Sequence, residues 1–315
     1  MSVVNNSLTN EKEIKLSILG ASGIGKVHAR IFSELGIKIQ SILSSSNATG
    51  EATIKSLKKL YNIDTNYYTN LDMLINKSKP NAISICTPPN LHYNQIIKVL
   101  EQGIPVFCEK PLFWDKTLSL QDLENKLEIL FNHHKRNLFV NTSNSNFITS
   151  VKKILPKKIL VKSFVFKFHT NGKYRKEDIA YDLLPHGLAM LIELVGYKKI
   201  TKLKEEILDE SYKCVFCYGD CNVEFDFMES KLAEKKFYFG INNHKFMRIQ
   251  RNISDKYQVY IKDLMNNKEI KIEDPFLTHI SKFVGFCKSK KIFKDHDQFN
   301  DSYYNLKLMG QILLK

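Results

Sequence analysis

The sequence lacks the features that mark membrane-spanning, secreted and disulfide-stabilised proteins. None of its apolar runs reaches the ~18 residues that a membrane span requires. Residues 1–13 have neither a basic start nor an apolar stretch, so they predict a short disordered lead-in rather than a signal peptide. Six cysteines in 315 residues are too few for a disulfide scaffold. These absences predict a cytoplasmic protein that does not associate with membranes.

Acidic residues are scarce relative to basic ones. The chain has 33 Asp and Glu against 47 Lys and Arg, which gives a net charge of +14. The lysines are scattered along the whole chain, and no basic helix or mixture of basic and aromatic residues typical of nucleic-acid binding is present. The composition therefore predicts no nucleic-acid partner. The excess of positive charge is best explained by an overall bias in composition, and the alternative is an anionic substrate such as a charged sugar or a nucleotide.

A metal site is also not expected. Cys214, Cys217 and Cys221 resemble a run of metal ligands at first sight. They straddle a predicted hairpin at Gly219-Asp220 and lack a fourth ligand at the usual spacing.

What the sequence does contain is a strand, a glycine-rich turn and a helix near its start. Ile14–Leu19 is mostly apolar and suits a buried strand, and a helical pattern begins at Ile24. Three glycines lie between and within them: Gly20, Gly23 and Gly25. This order is typical of the pyrophosphate-binding element of a dinucleotide fold, in which the free N–H groups of the helix face the ligand. Ser22 stands where the usual spacing has a second glycine.

Strand and helix periods alternate over about the first 140 residues, with short connections. This alternation predicts a doubly wound parallel sheet. After the polar break at 141–146, the pattern changes to an apolar helix near 182–195 and then to several strands, which predicts an α+β unit with an open, mostly antiparallel sheet. We expect an α/β protein with a dinucleotide-binding domain at 1–142 and a substrate-binding and oligomerisation domain at 143–315.

The choice of cofactor is expected to depend on the end of the second predicted strand. A strand at 37–43 is followed by Ser44, Ser45 and Ser46, where NAD-binding folds usually carry Asp or Glu. No carboxylate is present there to repel a 2′-phosphate, which favours NADP over NAD. The alternative is that these serines only start a turn and cap the following helix.

Lys110 comes directly after the predicted strand at 105–108. Ligands of open α/β sheets bind at the carboxyl ends of the strands, so a lysine there could bind a substrate oxygen or stabilise charge on it. The alternative is a surface lysine in a turn, neutralised by Glu109.

Asp182 and His186 are four residues apart and would share one helix face. Because Pro185 lacks an N–H group, we expect the helix to begin near Asp182 and to place both side chains at an accessible end. A histidine there could take a proton from a substrate hydroxyl, while the aspartate orients it or binds Lys110. The alternative is an N-cap aspartate followed by a structural histidine.

Other polar side chains are weaker candidates. His92 could touch the nicotinamide or ribose, or simply pack at the start of a helix. Tyr174 and Arg175 precede the helix that carries Asp182, and Arg175 could hold an anionic group. His28 is expected to be structural.

Three stretches of the chain resemble the Gfo/Idh/MocA family (glucose–fructose oxidoreductase and inositol dehydrogenase). They are LGASGIGKVHA at 19–29, ISICTPPNLHYNQIIKVLEQGIPVFCEKPL at 83–112 and YDLLPH at 181–186. The resemblance implies a Rossmann domain, a C-terminal open-sheet domain, and NAD- or NADP-dependent oxidation or reduction of sugars, cyclitols and related compounds. It also implies a homodimer or homotetramer formed through the C-terminal sheet. Lys110, Asp182 and His186 match the family's chemical positions.

Together, the motifs and the resemblance predict two sets of site residues. The cofactor-binding set is Gly20, Ser22, Gly23, Ile24, Gly25, Ser44, Ser45, Thr87, Pro88, His92, Glu109 and Lys110. The substrate-binding set is Lys110, Tyr174, Arg175, Asp182 and His186.

We therefore expect an NAD(P)-dependent oxidoreductase acting on a sugar, cyclitol or nucleotide sugar. His186 would exchange the proton, Lys110 would polarise the substrate oxygen, and Asp182 would orient the pair. The alternative is a non-catalytic sensor or scaffold of the same fold, which the departures at Ser22 and Ser44 suggest and the intact trio argues against. A hydrolase or lyase that oxidises its substrate only transiently is a further alternative.

Overall fold

The computed structural model describes residues 13–253, 256–289 and 297–314. The expected disordered lead-in at 1–13 lies outside these ranges, except for residue 13. A six-stranded sheet forms within residues 15–140, and an eight-stranded sheet forms within residues 163–272. The predicted fold class, a parallel Rossmann sheet followed by a mostly antiparallel open sheet, is confirmed.

The first sheet alternates strands with helices, as the sequence predicts. Its elements are β1 Lys15–Leu19, α1 Ile24–Glu34, β2 Lys38–Leu43, α2 Asn47–Tyr61, β3 Asn66–Tyr68, α3 Leu71–Ser78, β4 Ala82–Ile85, α4 Pro89–Leu100, β5 Val106–Cys108, α5 Leu120–His134, a 3₁₀ turn Lys135–Asn137, and β6 Leu138–Val140. The strand order is β3-β2-β1-β4-β5-β6, and each pairing is parallel. The order reverses between β1 and β4, and ligands of such sheets bind outside the carboxyl ends of the strands at that point.

Local sequence signals set several element boundaries. Ser46 caps α2, because its Oγ accepts a hydrogen bond from the Thr49 N–H at 3.2 Å. Gly103 follows α4 with φ +69°, a conformation that glycine adopts without the strain a Cβ would add. The short strand β3 is not in the predicted set of elements.

The second sheet is larger and carries the long helix α7 on one face. The elements of this part are α6 Ser145–Val151, β7 Ser163–Thr170, α7 Glu177–Val195, β8 Ile200–Ile207, β9 Ser211–Tyr218, β10 Cys221–Glu229, β11 Lys236–Ile241, β12 His244–Ile253, β13 Lys256–Asp263, β14 Lys268–Ile272, α8 Pro275–Ser289 and α9 Asp297–Leu313. The order is β14-β13-β12-β11-β7-β10-β9-β8, and only the central pairing of β7 with β10 is parallel.

Helix α7 packs closely on the sheet at a glycine. A Cβ at Gly187 would lie 2.9 Å from the Phe225 ring and 3.0 Å from the Phe166 ring. Phe166 and Phe225 face each other in register on β7 and β10. The face that carries these rings and Phe168 is called the inner face, and it is the face against which the candidate site is built.

The last helices return to the first sheet. Phe283 of α8 packs with its ring centroid 5.6 Å from that of Phe107 and 5.3 Å from that of Phe139, both in the Rossmann sheet. Phe299 of α9 packs on Phe131 of α5 at 5.9 Å. The division of the chain at 142–143 stays a prediction, and α8 and α9 pack on the Rossmann half although they follow the large sheet in sequence.

Two further results concern function classes. Across the described ranges, none of the helices combines the length and apolar character needed to cross a bilayer. Within the same ranges, no group of three or more His, Cys, Asp or Glu side chains is arranged to hold a metal ion.

Candidate active site

The glycine turn after β1 is closely packed at two of its three glycines. Gly20 has φ +82°, and a Cβ there would lie 2.8 Å from the Cys86 carbonyl oxygen. A Cβ at Gly25 would lie 2.3 Å from the Gly20 carbonyl oxygen. A Cβ at Gly23 would meet nothing within 4 Å. The turn therefore needs glycine at its base and is open to solvent at Gly23, as a phosphate-binding turn requires.

The start of α1 can donate to an anion. Gly23 is its N-cap residue, and among the described side chains none accepts a hydrogen bond there. The side chain of Ser22 is exposed, so it does not fill the turn. Ile24 lines a cavity of about 540 Å³ beside the helix. The first N–H groups of α1 suit a pyrophosphate, and these residues fit the nicotinamide dinucleotide that the fold implies.

The serines after β2 divide into one structural residue and two candidates. Ser46 caps α2, as the alternative interpretation proposed. The Ser44 N–H donates to the Tyr68 carbonyl oxygen at 2.8 Å, and its side chain is partly exposed. Ser45 is exposed. No carboxylate follows β2 directly, so the end of this strand offers hydroxyl groups to the adenosine ribose.

His92, at the start of α4, contacts two backbone carbonyl oxygens, as its structural interpretation expects, and its predicted contact with the cofactor stays a prediction. It is fully buried, and its Nε2 lies 2.7 Å from the Thr87 carbonyl oxygen. Its Nδ1 lies 3.0 Å from the Pro111 carbonyl oxygen. The ring thus ties the turn after β4 to the turn after β5. Thr87 also donates through Oγ1 to Gln95 at 2.6 Å, while Pro88 lines a cavity of about 350 Å³.

Glu109, which is also in the predicted cofactor-binding set, makes its contacts inside the protein. Its carboxylate is buried and accepts hydrogen bonds from His28 Nε2 and from Asn141 Nδ2, each at 2.6 Å. Burial opposes ionisation of Glu109, but the His28 ring outweighs it and lowers the pKa of this carboxyl. His28 also contacts Ser84 at 2.9 Å. These contacts agree with the prediction that His28 is structural. Through them, Glu109 stabilises the turn that carries Lys110.

Lys110 and Asp182 meet across the two sheets. The Lys110 Nζ donates to Asp182 Oδ1 at 2.7 Å and to the Asp182 carbonyl oxygen at 2.8 Å. Both side chains retain some exposure, 16% for Lys110 and 30% for Asp182. Burial opposes ionisation of Asp182, but the ammonium group of Lys110 holds the pKa of this carboxyl below its ordinary value. The site therefore contains a preformed ion pair that solvent or a ligand can reach.

The position of Asp182 in its helix differs from the prediction. Helix α7 begins at Glu177, so Asp182 and His186 lie in the helix interior rather than at its first turn. Pro185 is also inside the helix, and its carbonyl oxygen accepts a hydrogen bond from Asn305 Nδ2 at 2.8 Å. A proline need not lie in the first turn when the surrounding packing accommodates the lost hydrogen bond.

His186 is near this pair and is held uncharged. Its ring centroid lies 5.5 Å from that of Phe168, in an edge-on arrangement. Burial, reinforced by the charge of Lys110, lowers the pKa of His186 to about 3. A neutral imidazole has a nitrogen that can accept a proton, which is the state that a general base requires.

Glu229 is a site residue that the sequence analysis missed. It ends β10, and its side chain is buried with Oε2 accepting from the Tyr174 N–H at 2.8 Å. Burial and the adjacent Asp182 carboxylate, against the opposing N–H of Tyr174, raise the pKa of Glu229 to about 7. Only the strand register brings Glu229 here, since it lies far from both predicted motifs in sequence.

Tyr174 and Arg175 have different surroundings from those predicted. The Arg175 guanidinium lies 3.2 Å from Glu210 Oε1 and donates to the Glu229 carbonyl oxygen at 3.0 Å, so it fastens the loop before α7. Its predicted contact with an anionic substrate group stays a prediction. Tyr174 packs on Tyr181, and both line the 350 Å³ cavity beside Pro88.

Comparison with known proteins agrees with this geometry. Residues 14–142 match the Gfo/Idh/MocA oxidoreductase family, described by its NAD-binding Rossmann fold. This match covers less than half of the chain. Curated relatives of the chain include the 2,7-anhydro-N-acetylneuraminate hydratase of Mediterraneibacter gnavus, 31% identical over 123 residues, which are 39% of this chain and 30% of the relative. Inositol 2-dehydrogenase 1 of Paenarthrobacter aurescens is 27% identical over 103 residues, or 32% and 29% of the two chains. Each match thus spans less than a third of the relative's length.

A solved structure extends the likeness to nearly the whole chain. The 3-ketoreductase KijD10 of Actinomadura kijaniata, in complex with TDP-benzene and NADP, superposes with a TM-score of 0.69. The match covers 95% of this chain and 96% of that one at 14% sequence identity, so it concerns the fold. The fold shared with that structure therefore also includes the half of the chain that carries the eight-stranded sheet.

Proposed function

We propose that this protein is an NAD(P)-dependent oxidoreductase that transfers a hydride between the cofactor and a hydroxyl-bearing carbon of a sugar, cyclitol or nucleotide sugar. The observation that carries the proposal is the Lys110–Asp182 ion pair, which lies next to the uncharged His186 at the carboxyl edge of the Rossmann sheet. The names of the relatives, which include an inositol dehydrogenase, support this class of substrate.

Each member of the trio has a role that its surroundings allow. Lys110, fixed by Asp182, donates a hydrogen bond to the substrate oxygen and stabilises negative charge on it. The neutral ring of His186 accepts the hydroxyl proton during oxidation and returns it during reduction. Asp182 keeps the ammonium group charged and in place. The nicotinamide, when bound, supplies the hydride chemistry.

NADP is the cofactor that we propose over NAD. Its support is the absence of a carboxylate directly after β2, where Ser44 and Ser45 stand. A homodimer or homotetramer formed through the eight-stranded sheet and a cytoplasmic location also stay predictions, and light scattering of the purified chain measures the first of them.

The experiment is a binding titration followed by a turnover screen. NADH and NADPH are titrated by fluorescence, and sugars, cyclitols and nucleotide sugars are then screened for absorbance change at the nicotinamide band. Lys110→Ala and His186→Ala should each reduce turnover by about 10²-fold or more while cofactor affinity survives. Lys98→Ala is the matched control, because Lys98 forms a similar ion pair with Asp72 at an exposed position. Full activity of either site variant contradicts the proposal, and failure to bind either cofactor favours the scaffold alternative.

A reaction without net oxidation is the second candidate. One relative is named a hydratase rather than a dehydrogenase. The screen therefore also follows substrate consumption by mass spectrometry, and a change of 18 mass units, one water molecule, with no net change in cofactor absorbance would assign the chain to this class.

A further inference from the structure

Arg248 is held over two aromatic rings on the inner face of the large sheet. Its guanidinium carbon lies 4.2 Å from the ring centroid of Phe237 and 5.6 Å from that of Phe168. Phe168 and Phe237 face each other in register on β7 and β11, and Arg248 is on the next strand, β12. Stacking on aromatic rings fixes the position of a guanidinium group and leaves its N–H groups directed outward from the ring face.

This arginine has no counter-ion among the residues that the structure describes. Within residues 13–253, 256–289 and 297–314, no carboxylate forms an ion pair with Arg248 and no acceptor takes a hydrogen bond from it. By contrast, Arg30, Arg175 and Arg251 pair with Glu34, Glu210 and Glu269.

The charge of Arg248 is partly removed from water and is available to a ligand. The Arg248 side chain is partly exposed, and its partial burial lowers the pKa of the guanidinium to about 10. The group therefore stays protonated at neutral pH. A partly desolvated charge without a counter-ion gains free energy from a ligand that supplies the opposite charge.

Arg248 lies beside the proposed reaction centre. The ring of Phe168 contacts His186, at 5.5 Å between centroids, as well as the guanidinium of Arg248. The charge of Arg248 is also among the influences that lower the pKa of His186. The ring of Phe168 is thus in contact with both the proposed proton acceptor, His186, and the guanidinium of Arg248.

We propose that Arg248 binds an anionic group of the substrate, so that the substrate is a sugar or polyol bearing a carboxylate or a phosphate. The planar guanidinium matches both oxyanions through paired N–H groups. This inference rests on the proposed function, since it assigns a substrate class to the same site.

The phosphates of the cofactor are another source of an oxyanion. Arg248 influences the ionisation of Tyr257, which lines the 540 Å³ cavity together with Ile24 at the start of α1. Arg248 contacts the ring of Phe168, which also contacts His186, and this favours the substrate as the source of the anion. The experiment separates the two sources.

The experiment uses the full chain with saturating NADPH and measures binding by titration calorimetry. The probes are D-glucuronate and D-glucose 1-phosphate, with D-glucose as their neutral counterpart. The variants are Arg248→Leu and Arg248→Lys. Arg251→Leu is the matched control, because Arg251 is on the same strand, faces solvent and pairs with Glu269. NADPH affinity is measured separately by fluorescence, and melting temperatures establish that each variant is folded.

The wild type and Arg251→Leu should bind at least one anionic probe about 10-fold or more tightly than D-glucose. Arg248→Leu should lose this preference while its affinity for D-glucose is unchanged, and Arg248→Lys should keep part of it, since lysine retains the charge but not the paired geometry. The melting temperature of Arg248→Leu should equal or exceed that of the wild type, because an unpaired charge is removed.

Three results overturn the inference. The first is equal affinity of the wild type for anionic and neutral probes. The second is an equal loss of affinity for anionic and neutral probes in Arg248→Leu. The third is a loss of NADPH affinity in Arg248→Leu with an unchanged preference for the anionic probe. The last result would assign the arginine to the cofactor. Because the assay needs no turnover, an Arg248-dependent anion preference without any redox activity would reject the proposed function alone, and turnover of neutral sugars without that preference would reject this inference alone.

Discussion

Asp182 holds the ammonium group of Lys110 at two points, through its carboxylate at 2.7 Å and through its own backbone carbonyl at 2.8 Å. The lysine follows β5 of the Rossmann sheet, and the aspartate belongs to α7 on the large sheet. A single residue thus fixes both the position and the charge of the lysine across the two halves. The geometry is set before any substrate binds, which reduces the reorganisation needed during the reaction.

Asp182→Asn should lower kcat by about 10²-fold, with cofactor affinity within about twofold of the wild type. The amide retains the shape and the backbone contact but leaves the lysine without its counter-charge. Steady-state kinetics and NADPH fluorescence measure the two quantities. Asp72→Asn, which removes the partner of the exposed Lys98, serves as control. Wild-type kcat in the Asp182 variant would show that the carboxylate has no part in turnover.

Glu229→Gln should remove one transition from the pH profile of kcat/KM. The pKa of Glu229 is raised to about 7 by burial and by Asp182, so kcat/KM of the wild type should change around neutral pH. Glutamine resembles the protonated carboxyl, and the variant should keep the low-pH value across the range. Glu224→Gln, on the outer face of the same strand, should leave the transition in place. Profiles that coincide for wild type and Glu229→Gln would contradict the assignment.

Glu229 should also make the stability of the fold depend on pH. A carboxyl with a raised pKa binds more protons in the folded state, so Glu229 should cost stability as pH rises from about 4.5 towards 7. Glu229→Gln should therefore gain melting temperature relative to the wild type as pH increases through this window.

His28→Gln should destabilise the fold more near pH 6.5 than at alkaline pH. Burial opposes protonation of His28, but Cys86 and Glu109 outweigh it and raise its pKa from 6.5 to about 10. The stabilisation is complete below the unfolded pKa and is lost as pH rises through the folded pKa. The melting-temperature difference between wild type and variant should be largest near pH 6.5 and shrink towards pH 10. A difference that grows with pH would contradict the ion pair.

Two glycine substitutions in the phosphate turn should differ sharply. Gly25→Ala places a Cβ 2.3 Å from the Gly20 carbonyl oxygen, so the turn must shift. We expect it to lose about 10-fold or more in cofactor affinity and several degrees in melting temperature. A Cβ at Gly23 would meet nothing within 4 Å, so Gly23→Ala should lose less melting temperature than Gly25→Ala. Similar stability losses in both variants would contradict the described turn.

Ser44→Asp should weaken NADPH binding by about 10-fold and leave NADH binding unchanged or tighter. A carboxylate after β2 repels a 2′-phosphate but accepts hydrogen bonds from ribose hydroxyls. Ser44→Asn, which has the same shape without the charge, controls for the loss of the serine. An equal effect of Asp on both cofactors would argue against an adenosine ribose at this strand end.

The parts of the site that follow from local chemistry were predictable. Lys110 could be placed because parallel strands end at one edge of a sheet, and the glycine turn could be placed because strand, turn and helix follow one another directly. Helix α7 begins earlier than predicted. Pro185 lies inside the helix, so its missing N–H group does not mark the first turn. The acidic residues Glu177 and Asp178, which suit a helix start, are the better signal.

Residues that meet only through tertiary packing could not be predicted. Glu229 reaches Asp182, and Arg248 reaches Phe168, through the register of strands that are distant in sequence. The edge strands β8 and β14 were also missed, because their apolar alternation is weakened by many lysines and glutamates. Partial exposure at a sheet edge removes the pattern from which a strand is recognised.

The aromatic contact between α8 and the Rossmann sheet limits how the two halves could have been exchanged in evolution. Phe283 fills the space between Phe107 and Phe139, although the family match ends at residue 142. A recombination that joined residues 14–142 to a foreign C-terminal half would leave those rings without their cover. The part of the chain that packs as one unit is therefore longer than the segment that the family match covers, since the Rossmann sheet and α8 share these aromatic contacts.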